Sequence, residues 1–144
     1  MHDARARLNG FVLVGAVVGV LCAPPQVARA ADSMDQVRAQ AGKVYYDKYC
    51  TPCHGAGGAP GSAVYSKSQK PVDLRQYVAL HGGKFPVGQW LELVSVDRPG
   101  AVHSETWRRI RDDQQLGAGG VSAETVGRGV VANIAAYVRS VQAK

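Results

Sequence analysis

The chain has 144 residues, and its 17 Lys+Arg against 11 Asp+Glu leave a net charge of +6, too mild a surplus to argue for nucleic-acid binding. An apolar content of 46% is ordinary for a globular protein, although an apolar N-terminal run inflates it. The length allows one domain of modest core, with no repeat and no second folding unit.

Arg5 and Arg7 precede an apolar run over residues 11–23, and Ala28-Arg29-Ala30 sets small side chains at the −3 and −1 positions of a cleavage site. This pattern predicts a secretory signal peptide, residues 1–30, removed after Ala30. Thirteen apolar residues fall short of the ~20 that span a bilayer, so no stable membrane insertion is expected after cleavage; an uncleaved anchor is the alternative. Cys22 would leave with the signal, and Leu21 occupies the place where lipid attachment to that cysteine would want a small residue. The mature chain, 31–144, then keeps Cys50 and Cys53 as its only thiols and is expected in the periplasm. Its 14 Lys+Arg against 10 Asp+Glu suit transient docking to an acidic redox partner as well as plain solvation.

Ser33-Met34-Asp35-Gln36 reads as a capping box opening a helix over 33–49, with Val37, Ala41, Val44 and Tyr45 on one stripe. Gly42 inside that helix costs about 1 kcal/mol relative to alanine and needs a packing reason. The helix runs into Tyr49-Cys50-Thr51-Pro52-Cys53-His54-Gly55. Two thiols three positions apart, followed by an imidazole, have the spacing of a c-type haem attachment site. Residues at i and i+3 share a helical face, so both sulfurs can reach the two vinyl groups of one porphyrin while His54 takes the iron from the proximal side. Zinc would want a second ligand pair, but His81 and His103 stand singly. A thiol–disulfide motif would open a longer helix, which the glycine-rich residues 55–61 forbid; a plain disulfide is the third alternative.

Downstream, the pattern predicts a short helix over 73–81 stopped by Gly82-Gly83, and another from Pro86 with Val87, Trp90, Leu91 and Val94 on one face. Arg98-Pro99-Gly100 is a turn. Residues 104–116 should be helical with Trp107 and Ile110 inward and Arg108, Arg109 and Arg111 in water. A glycine loop follows at 117–120. Residues 122–142 carry Val126, Val130, Ile134, Tyr137, Val138 and Val141 at helical period. No segment alternates at period two, so the expected class is all-α.

Gly42-Lys43-Val44-Tyr45-Tyr46 ahead of the CxxCH run, together with Ile134-Ala135-Ala136-Tyr137-Val138 in the last helix, resembles the class I cytochrome c family over essentially the whole mature chain. The resemblance implies a cytochrome c-like fold: four to five short helices around one covalently attached haem, the first and last crossing closely at Gly42 between Tyr46 and Tyr137. It also implies that Pro60 offers its carbonyl to the proximal His54, fixing the ring. The family's distal methionine has no counterpart, because the chain holds only Met1 and Met34, both ahead of the motif. Where it would stand, the sequence reads Ala101-Val102-His103-Ser104-Glu105-Thr106-Trp107. Four candidates follow for the sixth iron position: His103, His81, Met34, or an open site.

Two functions are compatible with this reading. The first is a non-enzymatic carrier that passes one electron between redox proteins through Fe(III)/Fe(II) haem c. The second is a haem-based small-ligand binder, which the missing methionine makes possible. No catalytic triad, paired carboxylates or phosphate loop is present.

Overall fold

The computed structural model describes residues 26–60, 71–115 and 121–143. It is all-helical, with no strand among these residues. In chain order the helices are α1 (Gln26–Tyr49), α2 (Thr51–His54), α3 (Tyr77–Leu80), α4 (Val87–Val94), α5 (Ser104–Gln115) and α6 (Ala123–Ser140), with 3-10 turns at Ala56–Gly58 and Leu74–Gln76. That is six helices among the described residues, not four to five. The extra one arises because the CxxCH run is separated from α1. Pro52 has no N–H to give to the carbonyl of Lys48, so the chain breaks after Tyr49 and restarts with the proline in the first turn of α2.

The expected signal segment lies largely outside the described residues. α1 begins at Gln26, so it runs through Ala30 and does not start at a Ser33 cap. Two physical features explain the earlier start: Pro24-Pro25 sits immediately before it, and Gln26–Asp32 is rich in strong helix formers. No helix among the described residues is long and apolar enough to cross a membrane.

α1 and α6 form the main contact of the fold. At their crossing, a Cβ added to Gly42 would strike the carbonyl group of Asn133, whose carbon would lie 2.5 Å away. Only a residue without a side chain lets the two backbones meet here. Tyr46 packs on Tyr137 beside that point, ring centroids 5.0 Å apart. The buried face of α1 is therefore Gly42, Tyr46 and Tyr49, not the valine stripe. Val37 and Val44 are 57% and 68% exposed, because the crossing is set by the residue that permits closest approach and these valines fall on the other side of the helix.

Elsewhere the inward residues match the periodicity. Trp90, Val94, Trp107, Ile110, Val130, Ile134, Tyr137 and Val138 are buried. Trp107 lies close against Gly127 of α6, where an added Cβ would come within 3.0 Å of the indole. Val87, in the first turn of α4, stays exposed at the edge of a groove of about 320 Å³ that also touches Asn133 and Arg139. Arg111 is not left in water. It is half-buried, pairs with Asp97 at 2.9 Å and sits 5.8 Å from the Trp107 ring centroid. Past the end of α3, Gly82 and Gly83 both take positive φ, and the Gly83 amide donates back to the Val78 carbonyl. Gln142, past the end of α6, accepts from the Val78 amide and donates to the carbonyls of Leu74 and Val138, tying the C-terminus to α3.

Candidate functional site

Cys50, Cys53 and His54 stand together because α2 is a single turn. Cys50 precedes it as the capping residue, and the amides of Cys53 and His54 both donate to the Cys50 carbonyl. Tyr46 holds the far end. Its phenol, fully buried, donates to the Gly55 carbonyl at 2.9 Å. Burial first, then the neighbouring Cys50 and Tyr137, push that phenol far above the ordinary tyrosine range, so it stays a hydrogen-bond donor at any working pH. Gly55 and Gly57, at φ of 69° and 67°, turn the chain away directly after the motif.

The two thiols differ. Both are free, Cys53 exposed and Cys50 half-buried. Burial pushes the Cys50 thiol up to about 12, with Cys53 adding to the shift. A thiol–disulfide exchanger needs a thiolate near neutral pH, and Cys50 is the reverse of that.

His54 donates Nδ1–H to the Val72 carbonyl at 3.3 Å. Pro60, expected to offer its carbonyl here, is exposed just past the 3-10 segment Ala56–Gly58, and the carbonyl beside His54 Nδ1 is that of Val72. A backbone carbonyl still orients the ring, but it comes from the strand of chain entering the Leu74–Gln76 turn. On the other side of the site, His103 donates its own Nδ1–H to the Leu93 carbonyl at 3.2 Å. The backbone of His103 is pinned as the residue ahead of α5, its carbonyl taking the amide of the buried Trp107 at 2.8 Å. The rings of His54 and His103 are 6.2 Å apart between centroids with planes 20° apart. Burial lowers the pKa of both imidazoles, so each is neutral near pH 7 with Nε2 as its remaining nitrogen.

The other two candidates are not brought to this place. His81 donates Nδ1–H to the Tyr77 carbonyl at 2.7 Å and packs its ring on Tyr77, centroids 4.2 Å apart. Met34 is exposed on α1, sixteen residues before Cys50 along one unbroken helix, which at 1.5 Å per residue is about 24 Å.

Apolar surface lies bare in the same neighbourhood. Val72 and Leu93, whose carbonyls receive the two rings, are 48% and 47% exposed, and Val102, next to His103, is 69% exposed. Among the described residues no three His, Cys, Asp or Glu side chains converge as ligands of one ion, whereas a Cys2His2 zinc site needs four that do. A porphyrin asks for something different: sulfurs at its edge, imidazoles at its centre, and apolar walls. The donors here are of that kind: two thiols on one turn, two neutral imidazoles with ring centroids 6.2 Å apart, and exposed valine and leucine residues whose backbones adjoin those rings. No protein-family model, curated protein or solved structure matches the chain.

Proposed function

We propose that the chain is an exported monohaem c-type cytochrome, a cytochrome c-like helical domain that carries single electrons between other redox proteins. The observation that carries this reading is the one-turn helix α2, which presents Cys50, Cys53 and His54 together and is locked from behind by Tyr46. Cys50 and Cys53 would tether the haem through thioethers, and His54 would hold its iron on the proximal side. When bound, the haem supplies a one-electron Fe(III)/Fe(II) couple at an iron whose potential its axial ligands tune.

The protein's own part is placement and exclusion. The Val72 carbonyl fixes the tautomer of His54 and raises its basicity as a ligand. Val72, Leu93 and Val102, exposed and adjoining the two histidines along the backbone, would supply apolar surface for the haem to cover. No side chain is required to move a proton. The test is mass and colour. Coexpressed with a haem-attachment system, the exported chain should carry the mass of one porphyrin through acid–acetone extraction, and Cys50→Ala/Cys53→Ala should lose it. A wild-type chain weighing no more than its amino acids would end the proposal.

A further inference from the structure

Resting on the haem reading above, we propose that His103 is the second axial ligand, so that the site is a bis-imidazole centre: six-coordinate, low in potential and closed to small ligands. Its partners would then be low-potential one-electron redox proteins, not dioxygen, carbon monoxide or peroxide.

Three observations converge on this. The first is spacing. A metal–imidazole nitrogen bond is about 2 Å and the ring centre lies roughly 1 Å beyond the nitrogen, so two imidazoles on one ion have centroids about 6 Å apart. His54 and His103 stand at 6.2 Å. The second is tautomer. Both rings commit Nδ1–H to a backbone carbonyl, Val72 for one and Leu93 for the other, which leaves Nε2 on each with a free lone pair. The third is rigidity. His103 is held by the first hydrogen bond of α5, anchored by Trp107, and His54 by the turn that Tyr46 locks. Neither ring has to be recruited from elsewhere.

Reduction takes one electron from a reduced partner protein and oxidation returns it to an oxidised one. Neither histidine gains or loses a bond or a proton in either direction. Two imidazoles give a lower potential than the methionine–histidine pair, because methionine is the ligand that raises it.

The experiment uses the haem-loaded wild type and three variants. Wild type should be low-spin in both oxidation states, and its reduced form should not bind carbon monoxide. Ring planes only 20° apart should give the ferric protein a rhombic low-spin electron paramagnetic resonance signal, not the single large-g feature of perpendicular rings. His103→Ala should become high-spin and gain carbon monoxide binding. His103→Met should stay low-spin with its midpoint potential shifted upward, and it tests the ligand if the alanine variant does not fold. His81→Ala should leave the wild-type spectrum unchanged. Loaded wild type that binds carbon monoxide, or a His103→Ala spectrum like the wild type's, overturns the axial pair while leaving the haem reading intact. A wild-type chain without porphyrin overturns the haem reading itself.

Discussion

Gly42 shows how one residue without a side chain decides where two helices meet. In an exposed helix, replacing glycine with alanine gains about 1 kcal/mol. At Gly42 the added carbon would fall against the Asn133 carbonyl, which belongs to backbone and cannot swing aside. Overpacking of this kind costs about 1–3 kcal/mol, and here the displaced partner is a helix. Gly42→Ala should therefore lower the denaturation midpoint. Gly129, in α6, is the control: nothing lies within 4 Å of its would-be Cβ. Gly129→Ala should raise stability by about 0.5–1 kcal/mol in the same urea titration. Equal signs for the two variants would mean that α1 and α6 do not cross at Gly42. Single residues were also where the sequence was most readable. Cys50, Cys53 and His54 lie together on one turn, as their spacing of three positions and one implies. The carbonyl that orients His54 was not legible, because any residue can supply a carbonyl. Pro60 was expected and Val72 serves instead. Gln142 was missed for a related reason, since a glutamine with three backbone partners looks no different in sequence from one in water.

At the scale of elements, α1 was misjudged by its own periodicity. Val37, Ala41 and Val44 form a regular apolar stripe, yet the helix turns Gly42, Tyr46 and Tyr49 inward. Large aromatic side chains remove more area from water than valines do, and the glycine allows the close contact that lets them reach. In α5 and α6 the expected Trp107, Ile110, Val130, Ile134, Tyr137 and Val138 are buried, but Arg111 is drawn against Trp107 and residues 134–138 are buried without a break. The link between α1 and α5 is polar and was invisible beforehand: Tyr49 donates to Asp113 at 2.7 Å and Lys48 pairs with the same carboxylate at 2.7 Å. Lys48 first, then Tyr49, hold Asp113 below its ordinary 3.8. A carboxylate whose folded-state pKa is depressed contributes stability above the unfolded value, and that contribution is lost as pH falls through the folded one. The window lies below about pH 4. Thermal midpoints measured between pH 2.5 and 7 should fall more steeply on the acid side for wild type than for Asp113→Asn, the two curves converging at the lowest pH. Parallel curves would show that this junction carries no charge linkage.

Taken whole, the molecule has one finished side and one unfinished side. At the α1–α6 crossing Tyr46, Val131, Ile134, Tyr137 and Val138 are buried, while Val37 and Val44 on the far side of α1 stay exposed. Beside α2 and His103 the chain instead leaves Val72, Leu93 and Val102 uncovered around two neutral imidazoles and two thiols. Small domains bury a limited fraction of their surface, and contiguous apolar patches on them mark something that binds. A covalently held porphyrin would cover this side and add its own apolar body to the core, stabilising the folded state in the manner of any tightly bound ligand. Removing the tether should therefore separate the two sides. Cys50→Ala/Cys53→Ala should keep most of the far-ultraviolet helix signal, because α1, α5 and α6 pack without the haem. It should melt at a lower temperature than the loaded wild type and bind a hydrophobic dye that the wild type does not. Equal dye binding and equal melting in the two proteins would mean that Val72, Leu93 and Val102 are ordinary exposed side chains, and that the open side of the fold awaits no cofactor.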